Sequence, residues 1–304
     1  MKISITGDLG SGKTTVAKLI CEKLASSYFS TGAIQRELAS KLGVDTLSLN
    51  KISENDRKID DIVDSALAEL NDSENAVVID ARLGWFFIPS SFKVYLHVDN
   101  NVAAERVVSD TGRASEQYDD ISAAKDELLA RKMSENKRFL SLYKVDCASL
   151  DNYDLVVDSS RSTPSEIAEL IISKYHQWET HHLKNKLWFS PQALYPTHGV
   201  RQLGGETAKN LTQVMSQTGF NELYPLDVIR SSGHFFIFDG HKRASAAIFN
   251  NIKLVPLNLI ASNTDEIMPS ISADKYINNE CSLSMVYDWE DCHKFLFTEY
   301  PQLS

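Results

Sequence analysis

Gly7-Asp8-Leu9-Gly10-Ser11-Gly12-Lys13-Thr14 has the residue types and spacing of a loop that grips phosphate. A short apolar stretch, Lys2 to Thr6, leads into it, and an amphipathic run begins at Thr15. Gly7, Gly10 and Gly12 let the backbone curl with its N–H groups inward, where a Cβ would obstruct an anion. A helix opening near Gly12 adds the positive end of its dipole, with Ser11 and Thr15 among the binding residues. The Lys13 ammonium suits the β- and γ-phosphates, and the Thr14 hydroxyl suits Mg²⁺. Strand, glycine-rich loop and helix start, in that order, are the context in which this pattern binds a nucleoside triphosphate, here ATP with Mg²⁺.

The elements that position this loop follow from periodicity. Val16, Leu19, Ile20 and Leu24 recur at helical spacing, and the helix is predicted to end near Ser26-Ser27. Tyr28-Phe29-Ser30 reads as a second strand, with Ser30-Thr31-Gly32 capping the next helix. Residues 45–72 are polar with intermittent apolar positions, which predicts surface helices. Ala76 to Asp80, Phe92 to Val98 and Tyr153 to Asp158 read as buried strands. Charged helical segments span roughly 100–110 and 121–142, and Ser165 to Trp178 closes the unit. Strands alternating with helices predict an α/β fold, a parallel sheet covered on both faces.

Composition bounds the rest. The chain's 304 residues are enough for two domains, and 43% hydrophobic with 24% charged residues is the balance of a soluble globular protein. A net charge of -10 argues against nonspecific DNA binding. Met1-Lys2 runs straight into a strand, leaving no room for a signal peptide, and no apolar run reaches membrane-span length. Cys21, Cys147, Cys281 and Cys292 are scattered, which reads as reduced thiols in a cytoplasmic protein.

Residues 1–178 resemble the nucleoside monophosphate kinases, closest to the short cytidylate kinases of the archaeal type. The matching stretches are the phosphate loop, Ser30-Thr31-Gly32 with Arg36, and Ile79-Asp80-Ala81-Arg82-Leu83-Gly84-Trp85. Ala104-Glu105-Arg106, Arg131-Lys132, Asn136 to Phe139 and Tyr153 to Asp158 follow in order. The resemblance implies that Arg36 and Arg82 meet the acceptor phosphate, for which a guanidinium fork is the bidentate match. Arg131 and Arg138, seven apart on one helix face, become arginines of a lid over the transferring phosphoryl group. The neighbouring Lys125-Asp126-Glu127 and Glu135 also fit an ordinary solvated face. Asp80 either holds Mg²⁺ through water or caps its turn, and Asp60 falls where the family places a base-contacting acid. Two departures bear on the acceptor: Asp80-Ala81 stands where the family writes Glu-Gly, and Asp110 stands where it commonly has a second arginine, with Arg113 as a substitute.

A polar stretch, residues 179–187, reads as a linker; its His181-His182 pair faces different ways and has no third ligand near. Residues 188–304 have a different grammar. An amphipathic run covers Thr207 to Thr218, strands lie at Leu226–Ile229 and Phe235–Phe238 around Ser231-Ser232-Gly233, and another runs from Leu254 to Ile260. Asp239-Gly240-His241-Lys242-Arg243 sits between strand and helix, an acid, an imidazole and two cations suited to an anion. Asp239 and His241 also suit a plain helix cap. The stretch 190–260 resembles the ParB/sulfiredoxin superfamily and its free-serine kinase branch, which implies a second phosphate-handling site at Asp239, Gly240, His241 and Arg243. His198-Gly199 lacks the acid that the serine kinases place there, leaving Glu206 as the candidate. From Lys186 onward nine Lys and Arg stand against twelve Asp and Glu, a net of -3, unlike a DNA-gripping surface. The aromatics of 264–304 suit a closing helical layer.

The sequence therefore reads as a P-loop α/β domain with a parallel sheet (1–178), followed by a smaller α+β domain with a helical extension (188–304). The leading expectation is an ATP- and Mg²⁺-dependent (deoxy)cytidylate-type kinase with an added phosphate-ligand domain. A small-molecule kinase whose acceptor site lies in the C-terminal domain is one alternative. A regulatory ATPase with a nucleotide-sensing or partner-binding domain is another. The expected partner is a nucleotide or other small phosphorylated substrate, with neither nucleic acid nor membrane; the oligomeric state stays open.

Overall fold

Runs of β-branched and aromatic residues build the first of two units, Met1–Leu183, in a computed structural model that describes residues 1–44, 46–53, 56–110 and 120–303. Its strands are β1 (Lys2–Gly7), β2 (Ser27–Ser30), β3 (Val77–Asp80), β4 (Phe92–His97) and β5 (Leu155–Asp158). They pair in the order β2-β3-β1-β4-β5, every pair parallel. Ile3, Ile5, Val78, Ile79, Val94, Leu96 and Val156 are fully buried along them, as continuous apolar strands in a two-faced sheet must be. The covering helices are α1 (Lys13–Leu24), α2 (Thr31–Leu42), α3 (Thr46–Ser53), α4 (Lys58–Asp72), α5 (Gly84–Phe87), α6 (Asn100–Ser109), α7 (Ile121–Tyr143) and α8 (Pro164–Glu179). Register sets Ile5 beside Asp80, Ser30 beside Asp80, and Gly7 beside Leu96, which gathers strand C-termini where α/β sheets bind ligands.

Three helices of this unit differ from the sequence expectation. Helix α1 stops at Leu24, two residues early, because Ala25 adopts a left-handed φ of 48° and the Ser27 N–H is claimed by the Ala76 carbonyl. Helices α3 and α4 are not plain surface helices. Leu49, Ile59 and Leu67 are buried, and so is Asp60, so this face belongs to the interior.

The second unit, Lys184–Ser304, holds β6 (Leu187–Phe189), β7 (Leu194–Tyr195), β8 (Leu226–Ser231), β9 (His234–Asp239) and β10 (Val255–Ser262). Their order is β6-β10-β8-β9-β7, a mixed arrangement with β8 and β9 antiparallel and β8 and β10 parallel. Ser232 and Gly233, with φ of 50° and 87°, make the two-residue turn that antiparallel twist favours. Helices α9 (Glu206–Thr218), α10 (His241–Phe249), α11 (Ala273–Glu280) and α12 (Leu283–His293) complete it. A small hairpin, β11 (Glu266–Met268) with β12 (Ile271–Ser272), precedes α11 where only helices were expected. The expected aromatic layer does pack: Trp289 is fully buried and Tyr195 stacks on Phe297 at 4.3 Å. Among the described residues no helix is long and apolar enough to cross a membrane.

Candidate functional site

The phosphate loop turns between β1 and α1. Gly12, at φ 80°, stands at the helix start, and a Cβ on Gly7 would lie 2.2 Å from the Leu96 carbonyl oxygen, so strand packing demands glycine there. Gly10 also takes positive φ. The Ser11 hydroxyl donates to the Asp8 carbonyl at 2.8 Å and so braces the loop from inside. Lys13 Nζ donates to the Gly7 and Asp8 carbonyls at 3.0 and 2.7 Å. Burial, with Arg82 nearby, brings its ammonium down to about 7. Thr14 Oγ1 donates to Asp80 Oδ2 at 2.7 Å, and Tyr28 donates to the same oxygen at 3.0 Å. Thr14 and Asp80 thus stand together as the metal reading expects, while Thr15 lies on the open rim.

These groups open into a cavity of about 290 Å³ that also holds Arg36, Arg82, Arg131 and Arg138 on its walls. Arg36 has no hydrogen-bond or ion-pair partner among the described residues, so its fork remains available to an anion. Arg82 Nε pairs with Glu135 Oε2 at 2.9 Å, and its Nη1 donates to the Gly7 carbonyl. Arg131 Nε takes the other oxygen of Glu135 at 3.0 Å. Burial alone would raise the Glu135 carboxyl, but Arg82 and Arg131 hold it below the ordinary range.

Arg138 makes its ion pair elsewhere. It lies 3.7 Å from Asp60 on the wall of the same cavity, and its charge also helps lower the Glu135 carboxyl. Asp60 Oδ2 and Arg138 Nε are both buried without a hydrogen-bond partner among the described residues. Burial raises the Asp60 carboxyl despite Arg138. An orphaned acceptor and an orphaned donor on one cavity wall are costly unless a ligand satisfies both.

Sequence reasoning passed over Asp8 and Glu135. Asp8 is buried and accepts from Tyr95 Oη at 2.7 Å, Lys132 Nζ at 2.6 Å and the Val98 N–H at 3.2 Å. His97 Nδ1 lies 3.2 Å from it. Burial works against the charge, yet His97 and Lys132 hold Asp8 well below the usual carboxylate range. Lys132 on α7 is thereby tied to the phosphate loop. The i,i+4 spacing of Arg131 and Glu135 was the available signal for the second. Asp110 lines the cavity; Arg113 lies outside the described residues.

In the second unit, Asp239, Gly240, His241 and Arg243 come together with His198 around a hollow of about 380 Å³. The Thr197 N–H donates to His241 Nε2 at 3.0 Å, which places the His241 proton on Nδ1, 3.0 Å from His198 Nδ1. Burial and His198 lower His241 to about 3, so it is neutral near pH 7. Arg243 donates to the Tyr224 and Pro225 carbonyls at 2.6 and 2.7 Å and pairs with Asp239 at 2.8 Å. Its guanidinium therefore pins the preceding loop. Gly240 caps α10 at φ 102° without a side-chain bond. Glu206 is exposed at the start of α9 and lines no part of the hollow.

Residues 2–161 match the model of the cytidylate kinase-like family. A cytidylate kinase of Sulfolobus acidocaldarius is 35% identical over 174 residues, 57% of this chain and 92% of that protein. One from Archaeoglobus fulgidus is 32% identical over 173 residues, again 57% of this chain and 93% of its own length. A solved structure of sulfiredoxin from Arabidopsis thaliana is 19% identical, covers 24% of this chain and 80% of its own, and has a TM-score of 0.21. That likeness is too slight to assign the second unit a family.

Proposed function

This chain belongs to the cytidylate kinase-like family, and on that premise we propose that its first unit transfers a phosphoryl group to cytidine monophosphate or its deoxy form. It is an ATP-dependent phosphotransferase that works with Mg²⁺. Bound ATP supplies the γ-phosphoryl group, and the metal neutralises its oxygens. Lys13 and the Gly10–Thr15 turn would hold the triphosphate, with Thr14 and Asp80 placed for the metal. Arg36 and Arg82 would grip the acceptor phosphate, and Arg131, set by Glu135, would meet charge that develops during transfer. The four arginines and Lys13 work chiefly by position and charge, which phosphoryl transfer needs more than covalent help.

The observation that carries the acceptor reading is the unsatisfied pair Asp60 Oδ2 and Arg138 Nε on the cavity wall. Cytosine presents an amino donor beside a ring-nitrogen acceptor, which answers an acceptor beside a donor. Uracil presents the reverse and would set a carbonyl oxygen against the carboxylate. The test is an acceptor screen with the purified chain, ATP and Mg²⁺, products read by mass. CMP and dCMP should be phosphorylated far faster than UMP. Equal use of UMP would remove the role given to Asp60, and no nucleotide product at all would remove the acceptor class.

A further inference from the structure

On α10 and α12 of the second unit a serine and a histidine meet in a geometry the phosphotransfer reading leaves unused. Ser245 Oγ lies 2.7 Å from His293 Nε2, and His293 Nδ1 lies 2.8 Å from the Trp289 carbonyl. A carbonyl only accepts, so Nδ1 carries the ring proton and Nε2 is left as an acceptor facing the serine hydroxyl. Nucleophile, base and a third group orienting the base, all within hydrogen-bond reach, are the signature of an activated hydroxyl. His293 is buried, packed on Trp289 at 4.2 Å and Phe249 at 5.0 Å between ring centres, so its ring is held in place. Burial lowers its basicity, so the ring is neutral near pH 7.

Ser245 opens onto a groove of about 690 Å³ between α9 and α10, whose walls include Leu203, Ala208 and Phe249. Lys242, three residues before Ser245 and so on the same face of α10, lines the groove too. We propose that the second unit carries an acyl-transfer site, with Ser245 as nucleophile, His293 as its base and Lys242 facing the developing oxyanion. The mostly apolar surface of the groove, with Lys209 and Lys242 as its two cations, suits a carboxylic ester bearing a small apolar acyl group. Ser245 Oγ bonds to the carbonyl carbon while its proton passes to His293 Nε2. The ester C–O bond then breaks, and the alcohol leaves with that proton. Water attacks the acyl-serine, giving a proton to His293, which returns it to Ser245 as the carboxylic acid departs.

The full-length chain treated with an alkyl fluorophosphonate tests this. Ser245 Oγ would bond to phosphorus as the P–F bond breaks and fluoride leaves. Mass mapping should find one adduct on the peptide containing Ser245, absent from Ser245→Ala. The rate should fall by about a hundred-fold in His293→Gln. In Lys242→Ala, a partly exposed position outside the core, it should fall by about ten-fold or more. Should His293→Gln fail to fold, Lys242→Ala and hydrolysis of p-nitrophenyl butyrate by the unaltered chain decide. No adduct at Ser245, or an unchanged rate in Lys242→Ala, overturns the proposal.

Discussion

A lysine that must hold phosphate is here packed against two backbone carbonyls, with its ammonium lowered to about 7 by burial and by Arg82. The sign of the consequence is fixed. Below pH 7 Lys13 already carries its proton and nucleotide binding takes up none there. Above pH 7 the lysine is neutral until a polyphosphate raises its pKa again, so binding takes up a proton and affinity falls as pH rises, by up to about ten-fold per unit. Calorimetry at pH 8 in two buffers of different ionisation enthalpy measures this uptake directly; equal heats would contradict it. Asp60 makes the second prediction at this scale. Asp60→Ala removes a charged acceptor while Arg138 stays buried beside it, so the KM for CMP should rise by about five- to 150-fold, as about 1–3 kcal/mol dictates. The KM for ATP should barely move, since Lys13 and Thr14 are untouched. Parallel loss of both would mean that the unit had lost its packing instead of one recognition contact.

Among the elements, α7 does the most, because one helix carries Arg131, Lys132, Glu135 and Arg138 to three different destinations. Glu135 joins it to Arg82 at the end of β3, and Lys132 joins it to Asp8 in the phosphate loop. Glu135→Gln would leave two guanidinium groups facing each other with no carboxylate between them. Removing one partner from a buried ionic group costs about 3–5 kcal/mol. The variant should therefore melt earlier and turn over more slowly; retained stability together with full kcat would show the bridge to be incidental. How legible this was follows from where the information lies. The phosphate loop and the strands β1, β3, β4 and β5 were readable, because spacing and continuous apolar runs are local properties. The end of α1 was missed because it depends on Ser27 pairing with Ala76, 49 residues away in sequence. Asp60 was placed only by resemblance, since its neighbours look like a solvated helix and nothing local reveals that Arg138 will pack on it. The seven-residue spacing of Arg131 and Arg138 correctly set them on one helix, but their separate partners are tertiary facts.

For the molecule as a whole, each unit has the means to fold on its own account. Met1–Leu183 encloses Ile3, Ile79, Leu96 and Val156, and Lys184–Ser304 encloses Leu226, Phe236, Ile237 and Trp289, each set fully or almost fully buried. Both lengths lie within the range in which a single core can sustain a domain. Differential scanning calorimetry should accordingly show two transitions. A nonhydrolysable ATP analogue with Mg²⁺, at a hundred times its Kd, should raise only the transition of the first unit, by an increment of about 2.7 kcal/mol. Phe236→Ala cuts a large side chain out of the second core and should lower only the other transition, by about 3–5 kcal/mol. Phosphotransfer at 25 °C should then persist in Phe236→Ala, because every group assigned to it lies between Gly7 and Arg138. One transition that shifts as a whole under both perturbations would show a single cooperative body, and would require the second unit to be counted in the stability of the kinase site.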